Sequence, residues 1–213
     1  ASLLASLLAP DQVATSVCHS LLAFLGMRLD DPSHWQVVQS LCISLVLQQA
    51  GTIMRAGRDV TVLLGMLRFI GGQDLPQDTP PALFDVVVSS LLEFENGILP
   101  SNDNATKVLI AASELVASHF TGDRAGATSG SRMLPSVDEA VRWLADVRTE
   151  KLEDIKSKQV SAVIESVSTT LLAFANSCFD HTTAVITSIV SVCDRQLQSH
   201  APVMRILKDL LGA

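Results

Sequence analysis

Apolar positions along this chain recur at three- and four-residue intervals, and one ten-residue version of the pattern is written three times. It reads VCHSLLAFLG at 17–26, VVSSLLEFEN at 87–96 and VSTTLLAFAN at 167–176. Each copy runs Val, two free positions, Ser or Thr, Leu-Leu, a free position, Phe, a free position, then Gly or Asn. Val167, Leu171 and Phe174 stand at i, i+4 and i+7, on one face of a 3.6-residue turn. Val163 extends that stripe upstream, as Val13 does in the first copy, and the second Leu of each pair widens it. Gly26, Asn96 and Asn176 close the copies; Gly and Asn most readily take the left-handed conformation that ends a helix. Each decamer therefore predicts the C-terminal half of a buried helix and its stop signal.

The segments after the three copies match one another too. Asp31 with Pro32, Asn102 or Asp103, and Asp180 each read as the N-cap of a second helix. Those helices carry Val37-Val38 and Leu41-Cys42, Val108-Leu109 and Leu115-Val116, and Val185-Ile186 and Ile189-Val190. Short connections predict that each pair packs antiparallel. A third element closes each unit: 58–72, then 136–151 opened by a Ser136/Glu139 capping box, then 201–212. The opening SLLASLLA reads as the same element of a preceding unit. Long-period self-similarity of this kind marks repeat architecture.

The expected fold is all-α, in three units of about three helices each, stacked as a short solenoid or an irregular multi-helix bundle. Residues 1–121 hold units one and two and 136–213 hold unit three, forming one continuous domain with the first part. Between them, 122–135 is rich in Gly, Pro, Ser and Asp and reads as a flexible linker. Alternating strand patterns and hairpin turns are missing.

Composition narrows the function. Of 213 residues, 48% are hydrophobic and 17% charged, which excludes a disordered chain. The net charge of −7, with no basic stripe and no tyrosine, argues against nucleic acid as a partner. The most apolar run, 37–50, carries Gln39, Ser40, Ser44, Gln48 and Gln49, too polar and too short for a bilayer crossing of about 20 residues. The start has no basic region, so it is not an intact signal peptide.

Candidate chemistry is sparse. His19, His34, His119, His181 and His200 have no metal-ligand spacing and read as surface or capping residues. Cys18 and His19 are helix neighbours pointing about 100° apart, so they do not form a nucleophile–base pair. The loop GDRAGATSGSR lacks the ending that a phosphate cradle needs. The mixed charges of 146–158 describe a solvated helix face. No catalytic residue, metal ligand or cofactor site is expected. Asn104 opens a glycosylation sequon, NAT. The four cysteines, Cys18, Cys42, Cys178 and Cys193, read either as buried thiols or as disulfides of an oxidising compartment. Cys18 and Cys42 lie at similar distances from the turn at Asp30-Asp31, which brings a bridge between them within reach. Cys178 and Cys193 are not level across their own turn.

The paired amphipathic helices closed by Gly or Asn resemble HEAT and armadillo solenoids, and that resemblance implies a scaffold binding protein partners on one face. The run 58–120 is similar to the helical part of receptor-for-egg-jelly modules and of the autoproteolysis-inducing domain of adhesion receptors. That resemblance implies an extracellular, glycosylated setting. The chain departs from it in lacking a β-rich half and a His-Leu-Ser/Thr cleavage site, so autoproteolysis does not carry over, and neither family transfers a functional residue.

The expectation is a non-enzymatic helical-repeat scaffold or structural subunit acting through a protein partner or larger assembly. Trp35 and Trp143 are its candidate partner-facing residues, since tryptophan is favoured at interface hot spots. The alternatives are an extracellular stalk segment, with a glycan at Asn104 and a Cys18–Cys42 bridge, or a helical bundle holding a small ligand. Composition leaves a cytoplasmic and an extracellular location equally open.

Overall fold

The computed structural model describes residues 78–93, 103–121, 127–147, 154–195 and 201–212, with the single positions 40, 43, 44, 47, 64, 67 and 75. Among the described residues there are six helices and no strand: α1 Thr79–Leu92, α2 Asp103–Thr121, α3 Ala127–Asp146, α4 Asp154–Ser177, α5 Phe179–Arg195 and α6 Ala201–Leu211. Ser40, Ile43, Ser44, Leu47, Leu64 and Leu67 are helical as well. The protein is an all-α multi-helix assembly, the class its periodicity predicts.

The decamer of α4 and the start of the one in α1 sit where the pattern puts them, and the copy at 17–26 lies outside the described residues. In α4, Val160, Val163, Val167, Leu171 and Phe174 form one buried stripe. In α1, Leu83, Val87 and Leu91 occupy the corresponding places and are buried too. Pro80 and Pro81 fall in the first turn of α1, where a missing N–H costs nothing because those donors have no intrahelical acceptor.

The second Leu of the pair behaves differently from expectation. Leu92 is 50% exposed and Leu172 only half-buried. α1 also ends at Leu92, with Glu93 as its C-cap donating to Ser89 O at 3.2 Å, before the decamer is complete. The stripe is thus narrower than two adjacent leucines suggest. Leu91→Ala is expected to cost about 2–5 kcal/mol, because it opens a cavity beneath α1. Leu92→Ala should stay within about 0.5 kcal/mol. Paired urea titrations of the two variants check this contrast.

α2 and α4 share the most extensive packing, followed by α1 with α3 and α4 with α5; α1 also meets α2, and α3 meets α5. Polar groups set the register between α2 and α4. Ser166 Oγ donates to Ile110 O at 3.3 Å, and Thr170 Oγ1 donates to Ser113 O at 2.9 Å and to Ser166 O at 3.0 Å. Gln159 Nε2 donates to Asp103 Oδ1 at 3.4 Å. The partners rise in number together, so α2 and α4 run parallel. α3 is tied to α1 by an Arg132–Asp78 ion pair at its start and a Ser136–Asp85 hydrogen bond at its middle, and to α5 by Ser188 Oγ donating to Asp138 Oδ1 at 2.8 Å.

Two local expectations are corrected here. The stretch 127–135, read from sequence as part of a flexible linker, is the first half of α3. Ser136 therefore lies inside a helix and does not open one as a cap; its hydroxyl reaches across to α1. Helix continues through Pro135, whose ring removes one backbone donor. Burial of Gly130 and Met133 on one side, and the ion pair of Arg132 on the other, hold the segment in place.

Candidate functional site

Few aromatic residues are available to this chain, yet four rings form a single row across three helices. His119 and Phe120 of α2 meet edge to face at 5.2 Å. Phe120 meets Phe174 of α4 edge to face at 5.3 Å, and Phe174 stacks on His181 of α5 at 4.2 Å and 11°. Edge-to-face and offset-stacked contacts suit the ring quadrupoles and add to the apolar burial. The α4–α5 corner at Cys178 makes the last contact possible: Thr182 Oγ1 donates to Ala175 O at 2.7 Å across it.

His181 is buried, where the sequence predicted a surface or capping residue. Its Nε2 edge is closed by Gly130 of α3, where a methyl group would stand 1.7 Å from Nε2. Its Nδ1 lies 2.9 Å from Ser177 Oγ, and Ser177 Oγ lies 2.6 Å from Phe174 O. A hydroxyl has one proton, and a carbonyl can only accept, so Ser177 donates to Phe174 O. The imidazole then donates from Nδ1 to Ser177, a tautomer assigned by this network. His181 is consequently not placed to take the Ser177 proton, and the pair fastens a corner instead of forming a nucleophile with its base.

His119, at the other end of the row, is half-buried, and its Nε2 is enclosed without a protein hydrogen-bond partner. Burial pushes its pKa down by disfavouring the imidazolium. The unfolded chain begins to take up this proton near the ordinary value of 6.5, while the folded imidazole stays neutral to lower pH. Proton uptake by the unfolded state therefore weakens the fold as pH falls below that value. Stability measured between pH 7.5 and pH 5.5 should decline, and His119→Gln should reduce the decline.

The remaining candidate residues have other settings. Trp143 of α3 is 3% exposed and lies in the core, its Nε1 without a hydrogen-bond partner. It is not presented to solvent, because α3 turns its Met133, Val137, Ala140, Val141 and Leu144 stripe inward and the indole goes with it. Cys178 and Cys193 are free thiols, both half-buried. Trp35, Cys18 and Cys42, like the side chain of Asn104 in the first turn of α2, lie outside the described residues. Among the described residues no three His, Cys, Asp or Glu side chains converge on a metal-sized space, and no helix is long and apolar enough to cross a membrane.

An open groove of about 410 Å³ runs along α2, between Ile110, Ala111 and Leu115 on one wall and Leu64 and Leu67 on the other. Its polar rim is already engaged at two points. Lys107 pairs with Asp103 at 2.5 Å, which holds the Asp103 carboxyl below the usual range, and Ser118 Oγ donates to Leu115 O at 2.8 Å.

The feature that sequence reasoning missed lies on the surface of α5. α2 and α5 each follow a helix that carries a decamer, and they can be laid over one another. Ala105, Leu109, Ala112, Ser113 and Val116 of α2 then match His181, Val185, Ser188, Ile189 and Val192 of α5, and all of these are buried. The exposed positions match as well, but their chemistry does not. At three of the four, α2 carries Asp103, Lys107 and Glu114 where α5 carries Phe179, Thr183 and Val190; at the fourth, Ser118 of α2 matches Asp194 of α5. Phe179 is 82% exposed and Val190 55%. A comparison of the second helices at their outward positions, in place of their inward ones, would have found it.

These helices, with a core stitched by polar groups, define an all-α multi-helix protein. No protein-family model, curated protein or solved structure matches the chain.

Proposed function

We propose that this chain is a non-enzymatic helical-repeat scaffold or structural subunit that works by protein–protein contact, with the exposed face of α5 as a contact surface. One observation carries the reading. At three of the four matched exposed positions, α2 carries Asp103, Lys107 and Glu114 where α5 carries Phe179, Thr183 and Val190. A solvated helix face normally carries charge, and scattered exposed apolar residues need no account; an apolar strip in register along one helix does. The matching burial of α1 with α4, and of α2 with α5, supports the description as repeated units, each leaning on its neighbour.

The reading predicts that in its native source the chain migrates as part of an assembly larger than its own 22.7 kDa. Val190→Asp should release it to the size of a single chain with its helicity intact. Migration of the wild-type chain as a free monomer, unaltered by the substitution, contradicts the proposal.

A further inference from the structure

We infer that the first half of α3 is a strap over the His181 edge, hinged at Pro135, which comes away as a unit while the rest of the fold stays closed. Its release bares the Nε2 lone pair of His181 and the seat of Met133. The inference goes beyond the contact surface on α5 and does not rest on it.

The two halves of α3 are built differently. In the second half, Val137, Ala140, Val141, Trp143 and Leu144 are all buried. From 130 to 135 only Gly130 and Met133 are buried, and Ser131, Arg132, Leu134 and Pro135 are exposed. Methionine is an unbranched, adaptable anchor that specifies its seat loosely. The strap, 127–135, reads ATSGSRMLP, and Thr, Ser and Gly are poor helix formers. It is shorter than the about 12–15 residues that a helix needs in isolation, so its helix depends on lying against the body. Pro135 cannot supply the N–H that would reach Ser131 O, and this missing bond falls at the junction of the two halves.

The strap's fastenings to other helices are light. Arg132 pairs with Asp78 in the open, with side chains 65% and 78% exposed. Such surface pairs contribute little and are screened by salt. Asp78 is available for this pair because α1 cannot use it as a cap. A cap carboxylate accepts from the second or third helical residue, and here these are Pro80 and Pro81, which have no N–H. The other fastening is the fit of Gly130 to the ring. A methyl group there would stand 1.7 Å from His181 Nε2, 2.4 Å from Cε1 and 2.7 Å from Cδ2. The Ser136–Asp85 and Ser188–Asp138 hydrogen bonds lie beyond Pro135. They keep the second half of α3 on the body when the first half leaves.

Release leaves the corner beneath intact. His181 keeps Phe174 on its face and Ser177 at its Nδ1, since neither belongs to α3. Local opening of a fold takes its least-packed segment first. The strap therefore uncovers one ring nitrogen and one methionine seat without unpacking α2 from α4.

Native-state hydrogen exchange of the full chain, read by peptide mass spectrometry, tests the inference. The amides of 131–134 should be protected, yet exchange at least about a hundred-fold faster than those of 140–146 and with little dependence on denaturant. Leu91→Ala should speed exchange at 140–146 and leave 131–134 unchanged. Two exposed positions should move the strap in opposite directions. Arg132→Ala should speed its exchange about two- to five-fold, as should about 1 M NaCl. Pro135→Ala restores a donor for Ser131 O and should slow it about ten-fold. Diethyl pyrocarbonate, which reacts with a free imidazole nitrogen, should label His181 with the same changes in rate. Exchange of 131–134 at the rate of 140–146, or no protection there at all, overturns the inference. Labelling of His181 that ignores both variants overturns it too, because the ring is then not what the strap covers.

Discussion

Phe174→Ala lowers the stability of the fold by about 3–5 kcal/mol, the largest effect expected of any single truncation at the described positions. Phe174 is fully buried and is the one ring that touches both neighbouring elements, edge to face with Phe120 and stacked on His181. Its removal takes away the apolar burial of a whole ring and leaves a cavity bounded by α2, α4 and α5. The α4–α5 corner is fixed by its own hydrogen bonds at Ser177 and Thr182, so it cannot move in to fill the space. The contrast is Phe179→Ala, five residues on. That ring is exposed, and its loss should change stability by no more than about 0.5 kcal/mol. Guanidinium titrations of the two variants read the difference directly. A Phe174→Ala loss as small as that of Phe179→Ala contradicts the packing described.

Gly130→Ala lowers stability by about 1–3 kcal/mol, although alanine is the better helix former by about 1 kcal/mol. The added methyl group would stand 1.7 Å from His181 Nε2 and 2.4 Å from Cε1. The imidazole is held on two sides: Phe174 stacks on its face, and Ser177 holds its Nδ1. Relief has to come from α3, which is itself fastened to α1 by Arg132 and Ser136. The obstruction outweighs the propensity. The same substitution in a His181→Ala background loses its obstacle, so there Gly130→Ala should be neutral or stabilising by up to about 1 kcal/mol. The double-mutant cycle isolates the contact. An equal effect of Gly130→Ala with and without His181 would mean that the glycine serves the helix and not the ring.

These two positions show what the sequence made legible. Phe174 was readable because it belongs to a period: Val163, Val167, Leu171 and Phe174 keep helical spacing, and the decamer repeats. Periodicity reports which face of a helix is turned inward, and here that suffices for the all-α class, for most helix positions and for the buried stripes of α1 and α4. Gly130 was not readable. Glycine and serine in 122–135 carry local propensity for a turn, and only the imidazole of a helix about fifty residues away gives Gly130 another role. Tertiary packing overrides local propensity there. Ser136 failed for a related reason: its spacing to Glu139 satisfied a capping pattern, but its hydroxyl is used between helices. The residue type of Trp143 marks it as a candidate contact residue but says nothing about which way α3 faces. Leu92 shares the residue type of its neighbour Leu91 but not its face, because adjacent residues on a helix diverge by about 100°.

The face of α5 was hidden for a different reason. Sequence patterns are read for what goes inside, and Phe179 and Val190 look like ordinary members of an apolar helix. Their meaning comes from the exposure of both, and from the charged residues at the matching places of α2.

Photo-cross-linking in the native source tests that contrast most directly. A photo-activatable phenylalanine is placed at position 179 or 190 of α5, and at the matching 103 or 114 of α2, one site per variant. Discrete protein adducts from 179 and 190, with none from 103 and 114, are the result predicted for a protein-contact surface on α5. Equal yields from the two helices, or no adduct from α5, contradict it.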